Sequence, residues 1–190
     1  MTDELTRDLE ALHPPPHPLL VELEQRARKA GVPLVSRVIG RFLATIVTAM
    51  QANRILEVGT GYGYATLWMA LAQPSVGRIW TIDPDVARTD IARSYFSRAA
   101  EDDYIEVFNT PALELLQKFR HRNLDVAFVN GNETEYGACL ELVIPMLKLS
   151  GLAIFNDCLR MRDFTQRFLT HPALVATILP LGIAIGARRQ

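Results

Sequence analysis

From about residue 53 onward, short β-rich runs of the sequence alternate with longer segments that have helical periodicity. Helices are predicted at Tyr64–Leu71, at Asp85–Ala99, in a segment that Pro111 opens and in an apolar segment that carries Pro145. Five strands are predicted at Arg54–Val58, Arg78–Ile82, Ile105–Phe108, Leu124–Val129 and Gly151–Phe155. Because strand–helix–strand units form right-handed crossovers, this order predicts a parallel sheet that helices cover on both faces.

The two ends of the chain break this alternation. Val175–Leu179 and Gly182–Gly186 are predicted strands with only Pro180 and Leu181 between them, so they should pair antiparallel. At the other end, three helices are predicted at Leu5–Leu12, Leu19–Ala30 and Ser36–Met50. We therefore expect a Rossmann-like, doubly wound α/β fold with a mostly parallel seven-stranded sheet and an antiparallel C-terminal hairpin. Residues 1–190 are expected to form a single domain, with a helical cap over 1–50 and an α/β core over 51–190.

Composition narrows the class of protein. The 190 residues include 20 Lys and Arg against 21 Asp and Glu, a balance that disfavours nucleic acid as a partner. No apolar run is long enough to span a bilayer, and the first four residues are acidic, unlike a secretory signal. Cys139 and Cys158 have neither metal-type nor disulfide-type spacing. We expect a cytoplasmic protein without a nucleic-acid or membrane partner.

The most informative motif lies between the first predicted strand and the helix that follows it. Gly59, Gly61 and Gly63 allow a sharp turn and the close approach of a ligand to the backbone. Asp83 ends the second strand, where doubly wound folds place a carboxylate against ribose hydroxyls. A purely structural strand-to-helix turn is the alternative. The spacing is G-x-G-x-G, whereas dinucleotide binders prefer G-x-G-x-x-G, so the motif favours S-adenosylmethionine over NAD.

The segment Ile55–Trp68 resembles the opening motif of the catechol and caffeoyl-CoA O-methyltransferase family. Before this motif, Gly31–Pro33 stands where the family has its N-terminal capping segment. After it, further similar segments come in the order of the family: Thr81–Asp85 (the ribose-binding strand end), Thr110–Glu114 (the turn that contacts adenine), Leu124–Gly131 and Gly151–Asp157 (the fourth and fifth strands). The resemblance covers nearly the whole chain. It implies an S-adenosylmethionine-dependent O-methyltransferase that acts on a small molecule, and it implies a homodimer.

The resemblance also implies which residues contact the cofactor. They are Glu57, Gly59, Thr60, Gly61, Tyr62, Gly63, Asp83, Pro84, Thr110, Pro111, Ala112 and Asn130.

The positions that hold a metal in this family are altered. Metal-dependent members have an Asp after the fourth strand, an Asp-Asn pair after the fifth, and a Lys that helps to deprotonate the acceptor. The matching residues here are Asn130, Asn156 and Asp157, and Glu133 stands in place of the Lys. Mg²⁺ is usually held through carboxylates, so one carboxylate with two amides attracts it less strongly. Loss of the Lys also removes a positive charge that would lower the pKa of the acceptor hydroxyl.

Three interpretations of this altered site stay open. In the first, the site binds a divalent cation weakly, with Glu133 or Glu135 as an added ligand. In the second, the enzyme transfers the methyl group without a metal, by positioning the acceptor and using a local base. In the third, the chain has lost catalysis and serves as a cofactor-binding sensor or partner subunit. Candidate bases are Asp157, Glu133 and Tyr136. Each has an alternative role: Asp157 as a helix cap, Glu133 as a solvated charge and Tyr136 as a core residue.

The segment after the fifth strand is shorter than is usual in the family. Leu159–Phe164 passes almost directly into a helix, which predicts a more open acceptor pocket. Arg160 and Arg162 could attract an anionic acceptor, although a solvated helix face is the simpler account of both.

Overall fold

The computed structural model describes residues 3–14 and 16–189, with side chains from residue 8 onward. Its helices are α1 (Asp3–Leu12), α2 (Pro18–Ala30), α3 (Arg37–Met50), α4 (Tyr64–Ala70), α5 (Val86–Arg98), α6 (Ala112–Lys118), α7 (Tyr136–Val143) and α8 (Arg162–Leu169). Its strands are β1 (Arg54–Val58), β2 (Arg78–Ile82), β3 (Ile105–Phe108), β4 (Leu124–Val129), β5 (Leu147–Phe155), β6 (Leu174–Ile178) and β7 (Ala184–Arg188). Single 3₁₀ turns lie at Asp102–Tyr104, Glu133–Glu135 and Ile144–Met146.

The seven strands form one sheet in the order β3-β2-β1-β4-β5-β7-β6. The first five pair in parallel, and β7 pairs antiparallel with both β5 and β6. This arrangement confirms the predicted fold class, including the C-terminal hairpin. The order reverses between β1 and β4, and ligands of open α/β sheets bind outside the carboxyl ends of the strands at such a reversal.

The boundaries of the last three strands differ from the predicted ones, and β6 is shifted by only one residue, to Leu174–Ile178. β5 begins at Leu147 instead of Gly151, and its pairing with β4 shifts between Leu147 and Leu152. Ser150, which has a φ of 63°, lies at a local bulge between two paired stretches of β5. In the sequence, only the second stretch looks like a strand, and the first looks like a loop. β7 begins at Ala184, because Gly182 (φ 84°) belongs to the turn and donates its N–H to Leu179 O.

Two hydrophobic layers cover the sheet, because successive side chains of a strand point to opposite faces. Ile55 packs with α2, α3, α4 and α5 on one face, whereas Leu56 packs with α6, α7 and α8 on the other. The central strand β4 is buried over its whole length, as expected for a parallel strand between two helical layers. Trp68 and Trp80 are core residues, one in each layer.

A polar contact ties the N-terminal helices to the helix that follows the glycine turn. Glu24 on α2 accepts two hydrogen bonds from Arg37 Nε and Nη2, the latter at 2.6 Å, at the start of α3. The Tyr64 hydroxyl, at the start of α4, donates to the same carboxylate at 2.5 Å. The chain between α2 and α3 is thereby held close to the carboxyl ends of the strands. Among the described residues, no helix is both long enough and apolar enough to cross a membrane.

Candidate active site

A cavity of about 600 Å³ opens at the carboxyl ends of β1, β2, β4 and β5. It lies where the strand order reverses, which is the position expected for a ligand in a doubly wound sheet. Most of the predicted site residues line it: Gly59, Thr60, Gly61, Tyr62, Asp83, Pro84, Pro111, Ala112, Asn130, Glu133, Tyr136, Asn156 and Asp157. The fold therefore brings residues from five separate loops to one cavity.

Three of the predicted cofactor-binding residues do not line this cavity: Glu57, Gly63 and Thr110. Glu57 is fully buried beneath the glycine turn. Gly63 faces α5, because a Cβ there would lie 2.6 Å from the ring of Phe96. In this structure both residues support the turn from below, and neither lines the cavity.

Gly59 makes a tight turn at the cavity wall. Its φ is 98°, and a Cβ at this position would lie 2.2 Å from the carbonyl oxygen of Asn130. The Gly59 N–H donates to Ile82 O at 2.8 Å, which anchors the turn to the end of β2. The chain of β1 and the chain after β4 can approach this closely only because residue 59 has no side chain.

Asp83 is held rigidly at the end of β2. Its Oδ2 accepts from the Gly61 N–H at 2.8 Å, and its Oδ1 accepts from the Asp85 N–H at 2.9 Å. Each carboxylate oxygen can accept a further hydrogen bond, so the half-buried side chain keeps acceptor capacity towards the cavity. A Cβ at Gly61 would meet nothing within 4 Å, which leaves space beside the carboxylate.

Glu57 forms a buried polar network under the turn. Its Oε2 accepts from the hydroxyls of Thr66 and Thr81 at 2.5 Å each, and Thr60 Oγ1 lies 2.6 Å from Thr81 Oγ1. The other oxygen, Oε1, is buried without a hydrogen-bond partner among the described residues. Burial raises the pKa of Glu57 from 4.5 to about 7, although the two threonine hydroxyls oppose the rise.

The altered metal positions meet at the ends of β4 and β5. Asn156 Nδ2 donates to Asn130 Oδ1 at 2.9 Å, so the two amides bond to each other. Asp157 is exposed and has a φ of 56°. The donor set for a cation is thus one carboxylate and two amide oxygens, one of which already accepts a hydrogen bond. Mg²⁺ is usually held through one or two carboxylates, so a set with a single carboxylate and an amide oxygen already engaged in a hydrogen bond fits such an ion less well than the two carboxylates of the metal-dependent members.

The remaining predicted catalytic residues differ in their surroundings. Glu133 is exposed at the cavity wall, in the 3₁₀ turn that precedes α7. Tyr136 is 1% exposed, packs edge-on against Phe155 and donates its hydroxyl to Val129 O at 3.4 Å. Burial raises the pKa of Tyr136 well above its usual range, which disfavours the phenolate that a base requires. These contacts favour the core role for Tyr136.

Several cavity residues were not predicted from the sequence. The segment Val32–Val35, between α2 and α3, lines one side, and Tyr64, Arg88 and Asn132 also contribute. Glu135, considered from the sequence as an added metal ligand, lines the cavity as well. The resemblance of Gly31–Pro33 to a capping segment could have identified Val32–Val35 as part of the site. Arg160 and Arg162, by contrast, are exposed and do not line the cavity.

Comparison with known proteins assigns the chain to a family. The O-methyltransferase family profile matches residues 13–167. A catechol O-methyltransferase from Mycobacterium tuberculosis is 29% identical over 160 residues, which cover 76% of this chain and 73% of that protein. A caffeoyl-CoA O-methyltransferase from Populus kitakamiensis is 28% identical over 155 residues, which cover 77% of this chain and 66% of that protein.

Solved structures show the same similarity over almost the whole length. An O-methyltransferase from Bacillus cereus, solved in complex with SAH, superposes with a TM-score of 0.85 at 25% identity. The superposition covers 97% of each chain. The chain therefore belongs to the O-methyltransferase family, which confirms the predicted class of enzyme, an S-adenosylmethionine-dependent O-methyltransferase.

Proposed function

We propose that this enzyme methylates a hydroxyl oxygen of a small molecule and does so without a divalent cation. The observation that supports the second part is the direct hydrogen bond between Asn130 and Asn156 at the positions that would hold the metal. In the absence of metal, the protein has to align the acceptor with the methyl donor and accept its proton.

We divide the cavity, which runs along the carboxyl ends of the strands, into a cofactor part and an acceptor part. We assign Pro111 and Ala112 to the adenine, Asp83 to the ribose hydroxyls, and the turn from Gly59 to Gly61 to the amino-acid part of the cofactor. These assignments follow the resemblance, and they agree with the free acceptor capacity of Asp83 and the open space at Gly61. The acceptor part then lies beyond Asn130, at the ends of β4 and β5.

S-adenosylmethionine, when bound, supplies an electrophilic methyl group on a sulfonium. The side chains at the acceptor part have only to orient the hydroxyl and take up its proton. Asp157 and Glu133 are the candidate bases, because both are carboxylates at the cavity wall. Tyr136 is the weaker candidate for the reasons given above.

The first test is calorimetric titration with S-adenosylhomocysteine, followed by a screen for methyl transfer to hydroxyl compounds. We expect binding that does not depend on Mg²⁺, and turnover with at least one acceptor. Failure to bind would contradict the cofactor assignment. Binding without turnover on any acceptor would favour the alternative, a cofactor-binding sensor or partner subunit.

Replacement of Asp83 by alanine should lower the affinity for S-adenosylhomocysteine about 10- to 100-fold. The change removes the carboxylate as a hydrogen-bond acceptor, and one hydrogen bond to a charged group is worth roughly 1.5–3 kcal/mol. It also leaves the Gly61 N–H without its acceptor. Asp85→Ala is the matched control: Asp85 caps α5 by accepting from the Arg88 N–H and does not line the cavity. Equal affinities of the two variants would contradict the assignment.

Methyl transfer should persist in the presence of a chelator. The variant Asn130→Asp with Asn156→Asp should, in contrast, gain cation affinity, because it places three carboxylates, including Asp157, at one site. Calorimetric titration of both proteins with Mg²⁺ measures this difference. Loss of wild-type activity in chelator, restored by Mg²⁺, would show that the metal-free assignment is wrong.

Assembly and location follow only from the resemblance and the composition. We propose a homodimer, a cytoplasmic location and one domain over residues 1–190. Size-exclusion chromatography with light scattering tests the first, and limited proteolysis tests the last.

A further inference from the structure

Two side-chain amides meet where the acceptor part of the cavity begins. Asn130 follows β4 and Asn156 follows β5, and the residues just before them, Val129 and Phe155, are paired in the sheet. Backbone hydrogen bonds fix both positions. The Asn130 N–H donates to Val58 O at 2.8 Å. The Asn156 N–H donates to Val129 O at 2.9 Å, so the two side chains start from fixed points on neighbouring strands.

The hydrogen bond between these amides leaves one group of each unused. Asn156 Nδ2 donates to Asn130 Oδ1 at 2.9 Å. A side-chain amide has an NH₂ group that donates and a carbonyl oxygen that accepts. No hydrogen bond of Asn130 Nδ2 or Asn156 Oδ1 is found in the part of the chain that the structure describes. Both residues are half-buried and line the cavity, so one NH₂ group and one carbonyl oxygen remain for a bound molecule.

This combination of a donor and an acceptor is complementary to a hydroxyl, which itself accepts and donates hydrogen bonds. It is not complementary to a cation, because Mg²⁺ is held by oxygen ligands and an amide NH₂ group offers it none. An N–H group also bonds to one oxygen, whereas a metal ion can bind two adjacent oxygens of the same molecule. The change of residues at the metal positions therefore alters what an acceptor has to carry.

We infer that Asn130 donates from Nδ2 to the acceptor oxygen, that Asn156 is the positioning residue that orients this amide, and that the acceptor needs only a single hydroxyl. The inference rests on the proposed function, because that function places the acceptor at this end of the cavity. As the acceptor oxygen gains the methyl group, the carbon–sulfur bond of the cofactor breaks and neutral S-adenosylhomocysteine is left. The hydroxyl proton passes to a carboxylate of the cavity wall, and the two amides keep their protons throughout.

The first test compares catechol with 2-methylphenol, in which a methyl group of similar size replaces the hydroxyl beside the reacting one. The value of kcat/KM is measured at saturating S-adenosylmethionine in buffer that contains a chelator. We expect the two values to lie within about threefold of each other, because no bond from the protein to the second oxygen is lost. A site that binds the second hydroxyl would reject its analogue strongly, so a loss of about tenfold or more with 2-methylphenol would overturn the inference.

Variants of Asn130 test the donor. Asn130→Asp keeps the shape and still accepts from Asn156 Nδ2, but it replaces the NH₂ group with a carboxylate oxygen. The KM for 2-methylphenol should rise about 10- to 100-fold, with a smaller change in kcat. Asn130→Ala adds no charge and should raise KM about tenfold. The matched control is Asn53→Asp, because Asn53 is exposed, precedes β1 at the other end of the strand and does not line the cavity. An unchanged KM in both variants of Asn130 would contradict its role as the donor.

Two variants of Asn156 separate a positioning role from a merely structural one. A carboxylate in Asn156→Asp cannot donate to Asn130 Oδ1 and attracts the NH₂ group instead, so it turns the donor away from the acceptor. We expect KM to rise about tenfold. Asn156→Ala changes the shape more but leaves the NH₂ group of Asn130 free, and it should raise KM only about two- to threefold. A larger effect of alanine than of aspartate would show that Asn156 is only structural.

Calorimetric titration of the wild-type protein with S-adenosylhomocysteine distinguishes the two proposals. If S-adenosylhomocysteine does not bind, the proposed function fails. If it binds and the enzyme methylates neither catechol nor 2-methylphenol, the inference about the amides and the single hydroxyl is overturned.

Discussion

Gly59→Ala is expected to abolish measurable binding of S-adenosylhomocysteine and to lower the free energy of unfolding by roughly 2–6 kcal/mol. Two effects add. A φ of 98° is strained for any residue with a side chain, which costs on the order of 1–3 kcal/mol. The new Cβ would also lie 2.2 Å from the carbonyl oxygen of Asn130, and overpacking against a fixed group costs about 1–3 kcal/mol more.

The clash cannot be relieved by a small local movement. The Asn130 N–H donates to Val58 O at 2.8 Å, and the Gly59 N–H donates to Ile82 O at the same distance. A shift of either segment breaks one of these hydrogen bonds at the carboxyl ends of the strands. The same shift changes the shape of the cavity wall, which is why we expect cofactor binding and stability to fall together.

Gly31→Ala is the matched control for backbone strain. Gly31 also has a positive φ, 65°, but a Cβ there would meet nothing within 4 Å. It should cost only about 1 kcal/mol and leave the affinity for S-adenosylhomocysteine unchanged. Urea unfolding and calorimetric titration measure both quantities. If the two variants lose equal stability, the contact with Asn130 is not the cause.

Glu57→Gln is expected to change how stability depends on pH. The pKa of Glu57 is 4.5 when unfolded and about 7 when folded, so the folded state binds more protons than the unfolded state between these values. Stability from this group is therefore greatest below pH 4.5 and falls as the pH rises to 7. The total loss is about 3 kcal/mol, because each pKa unit corresponds to about 1.36 kcal/mol.

Glutamine removes this titration while it keeps an oxygen that can accept from Thr66 and Thr81. At low pH the protonated carboxyl of Glu57 and the amide of the variant are both neutral, and each places a donor at the unpartnered Oε1 position, so the two proteins should have similar stability there. The difference in unfolding free energy should then shift in favour of the variant by about 2–3 kcal/mol between pH 5 and pH 8. Urea unfolding across this range measures the shift. Glu141→Gln, at an exposed carboxylate, is the control. A difference that stays constant with pH would contradict the raised pKa.

Much of the fold was predictable because it depends on local patterns. The alternation of β-rich and helical segments predicted the five parallel strands of the sheet, and two further β-rich runs with no helix between residues 179 and 182 predicted the antiparallel hairpin. The glycine motif, with Asp83 at the end of the next strand, indicated where a ligand binds. The family resemblance then assigned the chemistry. All of these signals lie within short stretches of the chain.

The tertiary structure decided what depends on segments that are distant in sequence. Asn130 and Asn156 are 26 positions apart, and only the pairing of β4 with β5 brings their amides to 2.9 Å. Glu57 lies in a glycine motif, yet its side chain points away from the cavity because Thr66 and Thr81 provide its partners beneath the turn. Arg160 and Arg162 follow β5 in sequence but lie outside the cavity, whereas Val32–Val35, distant in sequence from the other lining residues, lines one side of it. Sequence periodicity reports which face of an element is buried, whereas the distance between two side chains is set by how the elements pack.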